Sequence, residues 1–441
     1  MTRRSRVSLS RLGLGLLLSV PALLPALDQG QALAQVSVPA PQSGPGLPTP
    51  FASLPPPPPA VGLPLLQGQV SCPALQQRLQ ANLGAGSGAW SVSVADARGR
   101  LLAEVNGLQP RVPASNQKLV STAFALDRLG PNYRLSTRLW QLPDGSYRLT
   151  GEGDPDLALP QLQRFAKLAL GSGGSSGTSS GTVRLELAEE PRQDWWPSGW
   201  HPADRTYAYG APITRLAVTS NAIHDAVMNP PSRLQTLLQR SMDQQGGRAQ
   251  LTLVSARSPL PGDAVLLHEE PSAPMHNLLS LANSESHNFT AEVLMRQAAG
   301  SWDLQQAQRS TEQWLMAQSL PLQGVRIADG SGLDRANRLT SRFLVALLMR
   351  MDQHPYGRNY LASMAVAGQR GTLRNLYTGS TLQGRFYGKT GTLTGVRSIS
   401  GVLLTADGPR YVSAIANGAG SPNTVIGQVL RSVQETNLCP S

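Results

Sequence analysis

The sequence predicts an α+β protein of more than one domain, in which an antiparallel sheet flanked by helices is interrupted by a β-rich insertion. Three observations carry this. Apolar residues at period two stand beside segments of helical period at both ends of the folded part. Tight-turn signals at Ala97 to Gly99, Asp144-Gly145 and Asp407-Gly408 join neighbouring strands. Between about residues 132 and 268 the helical period gives way to short strands and loops. The 441 residues suffice for two or three domains at about 100–200 residues each.

The first segment in chain order reads as a leader. Arg3, Arg4, Arg6 and Arg11 precede an apolar run from Leu12 to Leu27, and Ala32-Leu33-Ala34 offers a small-residue cleavage site. The run lies near the ~15-residue limit of a signal segment and short of the ~20 residues of a spanning helix, which favours export with cleavage of residues 1–34 over an uncleaved anchor. Arg3-Arg4 leaves the export route open. Residues 35–65 then form a tether. Eleven of the 35 prolines fall between Gln35 and Pro64, a composition that favours extended polyproline and buries no core.

Cys72 and Cys439 bracket the folded part. Two cysteines are too few for a zinc site or a CxxC redox pair, and export permits oxidation, so a disulfide between them is expected, with two buried thiols as the alternative. From Cys72 to Leu83, Pro73 in the first turn and Leu75, Leu79 and Leu83 at four-residue spacing predict a helix. Trp90, Val92 and Val94 alternate with polar residues as a strand, followed by Leu101 and Leu102. A second helix spans about Ser115 to Leu129, stopped by Gly130. A hairpin runs from Leu135 to Leu149. Gly171 to Thr182, all Gly, Ser and Thr, reads as a flexible loop, between strands at Val183 to Leu187 and Leu251 to Val254. The helical period returns from His276, through Phe289 to Met295 and Thr340 to Met351. A strand at Arg385 to Lys389, a hairpin and a helix carrying Val425, Val429 and Val433 close the chain. The division predicted is a domain of residues 66–131 and 269–441, with 132–268 inserted.

Hydrophobic residues make up 40% and charged residues 15% of the chain, which excludes a disordered chain and a multi-span membrane protein. Net charge is +11, and loss of four arginines and Asp28 with the leader leaves +8. This suits an anionic surface such as a wall or membrane, although diffuse surface charge is the default; nucleic acid does not fit an exported protein. No histidine pair has metal spacing, since His268-Glu269-Glu270 lacks the second His of HExxH, and no cofactor is implied.

Of the 38 basic residues only Lys118, Lys167 and Lys389 are lysines. Arginine cannot lose its proton, so each remaining lysine needs a reason. Ser115 and Lys118 are three apart at a helix start, where the hydroxyl and amine meet on one face. There the helix dipole disfavours a protonated amine, and a neutral lysine can activate a serine nucleophile. Lys389-Thr390-Gly391-Thr392 follows an apolar strand; glycine admits a ligand backbone and Lys or Thr can hold a carboxylate. Between them lies Ser286-His287-Asn288, which alone reads as a helix cap. Their order is informative: Ser-x-x-Lys, Ser-x-Asn and Lys-Thr-Gly form the triple of penicillin-recognising serine enzymes.

Beyond the triple, the chain resembles the class C low-molecular-mass penicillin-binding proteins, which are D-alanyl-D-alanine carboxypeptidases and endopeptidases of the cell wall. Gly151-Glu152-Gly153-Asp154-Pro155 is similar to the turn opening that family's inserted domain. Gly199-Trp200 with Asp204, Tyr209-Gly210-Ala211-Pro212, Asp329-Gly330-Ser331-Gly332-Leu333 with Asn337 and Thr340, and Gly368 to Leu373 resemble its later signatures. The resemblance implies a β-lactamase/transpeptidase-like fold and an acyl-enzyme on Ser115 with Lys118 as base. It implies Ser286 as proton relay, Asn288 on the substrate amide, and Lys389 with Thr390 or Thr392 on the terminal carboxylate. Backbone N–H groups of Ser115 and Thr392 form the implied oxyanion hole. Implied partners are peptidoglycan stem peptides and cross-links, with β-lactams as covalent inhibitors. Asp204 is expected either to grip an ammonium on the peptide or to form a surface salt bridge. Trp195, Trp196 and Trp200 either stack on glycan or pack the insertion. His287 stands where the family often has Asp, from which an altered pH dependence is expected, and the insertion is too short for a further domain. Two other readings share the triple. The insertion argues against a serine β-lactamase, and both lysines in active positions argue against a catalytically silent wall-binding protein.

Overall fold

The computed structural model describes residues 66–172, 182–435 and Cys439. The leader, the tether and most of the Gly/Ser/Thr run lie outside these residues. The described chain forms, in order, α1 (Pro73–Leu83), β1 (Trp90–Asp96), β2 (Leu101–Val105), α2 (Lys118–Leu129), β3 (Ser136–Gln141), β4 (Tyr147–Gly151), α3 (Leu159–Ser172), β5 (Thr182–Glu189), α4 (Pro230–Asp243), β6 (Arg248–Ser255), β7 (Val265–Pro271), α5 (Met275–Asn283), α6 (Asn288–Ala298), α7 (Leu304–Ala317), α8 (Ser341–Asp352), α9 (Gly357–Ala362), β8 (Ala365–Val366), β9 (Phe386–Leu393), β10 (Val396–Thr405), β11 (Gly408–Asn417) and α10 (Pro422–Gln434).

The first sheet has the order β2-β1-β11-β10-β9-β8, antiparallel throughout. Alternation sends Val92, Val94, Ile399, Val412 and Ala414 to one face, where Leu75, Leu79 and Leu83 of α1 and Ile426, Val429 and Val433 of α10 cover them. Ala95, Val402, Tyr411 and Ile415 go to the other, against α2, α5, α6 and α8. Each such aliphatic side chain contributes about 1.5–3 kcal/mol on full burial. Cys72 and Cys439 are joined by a disulfide with Cα atoms 5.0 Å apart.

The second sheet, β6-β5-β4-β3-β7, is mixed, with β4–β5 and β5–β6 parallel. A parallel pair needs a crossover, and α3 and α4 supply the two. The expectation of a strand-and-loop region is therefore corrected by two fourteen-residue helices. Leu162, Phe165, Ala166 and Ala169 of α3, and Leu234, Leu238 and Met242 of α4, pack on Leu139, Leu149, Leu185 and Leu187. Gly171 and Ser172 end α3 and Thr182 opens β5, so the loop is shorter than the Gly/Ser/Thr run. No helix among the described residues is long and apolar enough to cross a membrane.

One stretch between residues 195 and 217 packs elsewhere. Trp200, Ile213 and Ala217 are buried in the core beneath the first sheet, and Trp195 and Trp200 are only 4% and 1% exposed, so the packing reading holds for both. The stretch is rooted by three consecutive left-handed residues, Thr219, Ser220 and Asn221 (φ 50°, 52° and 55°). Such residues persist where surroundings over-determine them. Here Ser220 Oγ donates to the Pro155 carbonyl at 2.8 Å, and Asn221 Nδ2 to the Pro212 carbonyl at 2.8 Å and Thr214 Oγ1 at 2.7 Å.

Candidate active site

Ser115 lies in a 3₁₀ turn, Ala114–Gln117, and Lys118 is the first residue of α2. The turn is entered through Ala114 at φ 48°. A Cβ on Gly332 would stand 1.9 Å from the Ala114 carbonyl oxygen, so only glycine allows the 329–334 turn to close on the nucleophile. Ser115 is half-buried, while Lys118 below it has no exposed surface.

Three contacts surround Lys118 Nζ: Asn288 Oδ1 at 2.6 Å, the Ser331 carbonyl at 2.7 Å and Ser115 Oγ at 3.0 Å. A neutral amine has two N–H groups and one lone pair. Asn288 Oδ1 and the Ser331 carbonyl can only accept, so they take both N–H groups, and the lone pair is left for the Ser115 hydroxyl. The orientation of Asn288 is itself fixed, because its Nδ2 donates to the Tyr209 carbonyl at 2.8 Å. Burial lowers the Lys118 pKa to about 7 against the opposing pull of Asp329 and Glu292. The expected agent was the helix dipole; desolvation is the leading cause.

Lys389-Thr390-Gly391-Thr392 lies within β9 rather than at its end, as the sequence suggested. Ser398 and Ser400 stand opposite Gly391 and Lys389 on β10. They tie the strand pair to the nucleophile turn: Ser398 Oγ donates to the Pro113 carbonyl at 2.6 Å, and Asn116 Nδ2 to Ser400 Oγ at 2.7 Å. A Cβ on Gly391 would lie 2.2 Å from Ser398 Oγ and 3.0 Å from the Ser115 nitrogen, which shows how closely β9 approaches that N–H. Lys389 is fully buried, donates to the Thr390 carbonyl at 2.8 Å, and is driven well below the usual lysine range by burial and by Lys118. Thr390 Oγ1 meets Thr372 Oγ1 at 2.8 Å.

Ser286 has a left-handed backbone (φ 63°) just before α6, and no hydrogen bond of its hydroxyl occurs among the described residues. His287 Nδ1 meets Thr290 Oγ1 at 2.8 Å, and burial together with Lys118 lowers its pKa to about 4. It is neutral wherever Lys118 can act as a base. Asp204 stands one step away: it accepts from Tyr209 Oη at 2.8 Å, and no cation pairs with it among the described residues. Tyr209 thus touches Asn288 with its carbonyl and Asp204 with its hydroxyl.

Direct hydrogen bonds unite Ser115, Lys118 and Asn288, whereas Asp204 connects only through Tyr209. The acceptors on Lys118 and Asn288 that sequence reasoning missed are main-chain carbonyls, of Ser331 and Tyr209, which no residue pattern specifies. Glu292 was missed too, yet it left a trace. It is a charged residue inside the apolar run of α6, fully buried and paired with Arg296 at 2.7 Å. Among the described residues no group of three or more His, Cys, Asp or Glu could hold a metal.

Comparison with known proteins supplies independent findings. The profile of the D-Ala-D-Ala carboxypeptidase 3 (S13) family matches residues 74–232 and 218–429. A D-alanyl-D-alanine carboxypeptidase of Actinomadura sp. (strain R39) is 26% identical over 431 residues, covering 75% of this chain and 78% of that protein. Penicillin-binding protein 4 of Haemophilus influenzae superposes with a TM-score of 0.70 at 18% identity, over 82% of this chain and 99% of that one. The same protein complexed with a β-lactam matches with a TM-score of 0.64 at 20% identity, over 82% and 98%. These two similarities establish a shared fold.

Proposed function

The chain belongs to the D-Ala-D-Ala carboxypeptidase 3 (S13) family, and on that premise we propose that Ser115 and Lys118 are the nucleophile and general base of a serine-type carboxypeptidase. The observation that carries the assignment is the lone pair of Lys118, left to Ser115 by two obligate acceptors. Lys118 removes the hydroxyl proton as Ser115 Oγ bonds to the carbonyl carbon between two D-alanines. The C–N bond breaks, the proton passes through Ser286 to the leaving amine, and an ester on Ser115 remains until water hydrolyses it. The N–H groups of Ser115 and Thr392 hold the oxyanion.

Two buried lysines that repel each other cannot both be charged cheaply. A substrate carboxylate arriving at Lys389, Thr390 and Thr392 raises the affinity of Lys389 for a proton, so Lys389 takes the charge while Lys118 stays neutral. Asn288 keeps one N–H for the substrate amide beside the one given to Tyr209. Asp204, without a cation partner among the described residues, suits an ammonium on the peptide's diamino acid. Peptidoglycan stem peptides and cross-links are the substrates this reading assigns, endopeptidase action following when the leaving amine belongs to a second stem. β-Lactams acylate the same serine. Export by residues 1–34 to the periplasm or wall side, residues 35–65 as tether and 132–268 as an inserted domain complete the proposal.

Intact mass of the full chain incubated with excess penicillin tests it, with Ser115→Ala alongside. A long-lived single adduct, absent from the variant, supports the peptidase. No adduct overturns the assignment, and a transient adduct with penicillin consumed indicates a β-lactamase.

A further inference from the structure

Asp329 is fully buried at the centre of the turn that presents the Ser331 carbonyl to Lys118. Its carboxylate accepts from Ser331 Oγ (3.0 Å), Gly332 N (2.7 Å), Asp334 N (2.8 Å), Asn337 Nδ2 (2.7 Å) and Trp200 Nε1 (2.8 Å). A carboxylate has about four lone-pair sites, so these donors fill its capacity. Three of these donors belong to the turn itself, and Asn337 follows it closely in the chain. Among the described residues the Trp200 indole N–H is the one donor to Asp329 from a distant part of the chain. It comes from the stretch that also offers the Tyr209 carbonyl to Asn288. The approach is close, since a Cβ on Gly199 would stand 2.1 Å from Asp334 Oδ2. Both acceptors of Lys118 are thus held from behind by residues 200–209, Ser331 through Asp329 and Asn288 through Tyr209.

We propose that Trp200 and Asp329 form one positioning unit for Lys118, by which the inserted stretch holds the base in working geometry. The proposal rests on the reading of Lys118 as the base. It makes part of the insertion a component of the acylation machinery as well as a wall for substrate. Charged or titratable groups facing Lys118 are Lys389 from β9, His287 ahead of α6, Glu292 from α6 and Asp329 from the turn. Glu292 steadies the same turn, accepting from Gly330 N and Ser331 N at 2.9 Å each.

Trp200→Phe keeps an aromatic ring and every charge but removes the N–H together with the five-membered ring that carries it. Asp329→Asn turns an NH₂ against donors and also removes a negative charge that favours protonated Lys118. The rate of acylation by penicillin is measured on the full chain from pH 5 to 9, with thermal unfolding in parallel. Trp200→Phe is expected to lower the plateau about tenfold and leave the acid limb where it is. Asp329→Asn is expected to lower the plateau further and move the acid limb down by about one pH unit. A folded Trp200→Phe with wild-type plateau overturns the proposal even if it melts lower, and it decides alone if Asp329→Asn does not fold. Failure of the catalytic reading looks different, because the wild-type chain then takes no penicillin on Ser115.

Discussion

The two sheets use buried polarity in opposite ways. In the first, both faces are covered, and Ser91, Ser93, Ser398, Ser400, Ser413 and Lys389 are buried all the same. They hydrogen-bond one another, the nucleophile turn or a neighbouring element, as Ser400 does with Ser413 at 2.8 Å and Ser93 with Ser341 of α8 at 2.8 Å. In the second, one face packs on α3 and α4, and charged pairs such as Arg138 with Glu152 and Glu269 stay partly in water. Ionic pairs cost little to keep at a wet surface, whereas a dry seam tolerates polar groups only when each has a partner. The candidate site sits where polarity is dry, and there small displacements matter most.

Lys118→Arg breaks that contrast hardest. A guanidinium does not release its proton, so acylation by penicillin is expected to fall by about 10³-fold or more, read from the rate of adduct formation. With Lys118 as the proposed base, the same rate is expected to rise in the wild type with pH through about 7, because burial lowers the Lys118 pKa to about there and a neutral amine is needed to take the serine proton. Gly391→Ala comes next. Its Cβ drives β9 away from Ser398 and the Ser115 N–H, and acylation drops by about 10²-fold while Lys118 remains intact. Cys72→Ser leaves the site alone but opens the loop closed by Cys439; denaturant unfolding is expected to register a loss of about 2–5 kcal/mol. Arg138→Ala, on the wet face, is the smallest: below about 1 kcal/mol for each ion pair lost, with unchanged acylation. An effect of Arg138→Ala as large as that of Gly391→Ala erases the distinction between the sheets.

Much of the candidate site was legible because the chemistry proposed for it depends on residue type. A chain that spends arginine everywhere and keeps Lys118 and Lys389 marks both positions, and period-two alternation marked β1. The helices α3 and α4 were overlooked although Leu162, Phe165, Ala166 and Ala169 have helical spacing, because Gly- and Ser-rich neighbours drew attention to loops. Main-chain carbonyls carry no residue signature, so the roles of Ser331 and Tyr209 emerged only from tertiary contact. The cause of the lowered Lys118 pKa was also misassigned, since spacing reports a helix end and says nothing of how much protein covers it.

The strand order also has a consequence in time. β1 lies between β2 and β11, so Trp90 is paired with Ala416, and α1 meets α10 through Arg78 with Glu435 and Asn82 with Ser432. A chain that emerges amino end first presents β1 with only β2 beside it and waits for nearly the whole polypeptide before its other edge is covered by β11. Closure of the sheet between β1 and β11 therefore needs the last strand of the chain. Shortening the carboxyl end is therefore not trimming: loss of α10 uncovers the face of the first sheet that carries Val92, Val94 and Val412 and removes the partners of Arg78 and Asn82, while every residue of the candidate site stays in the chain.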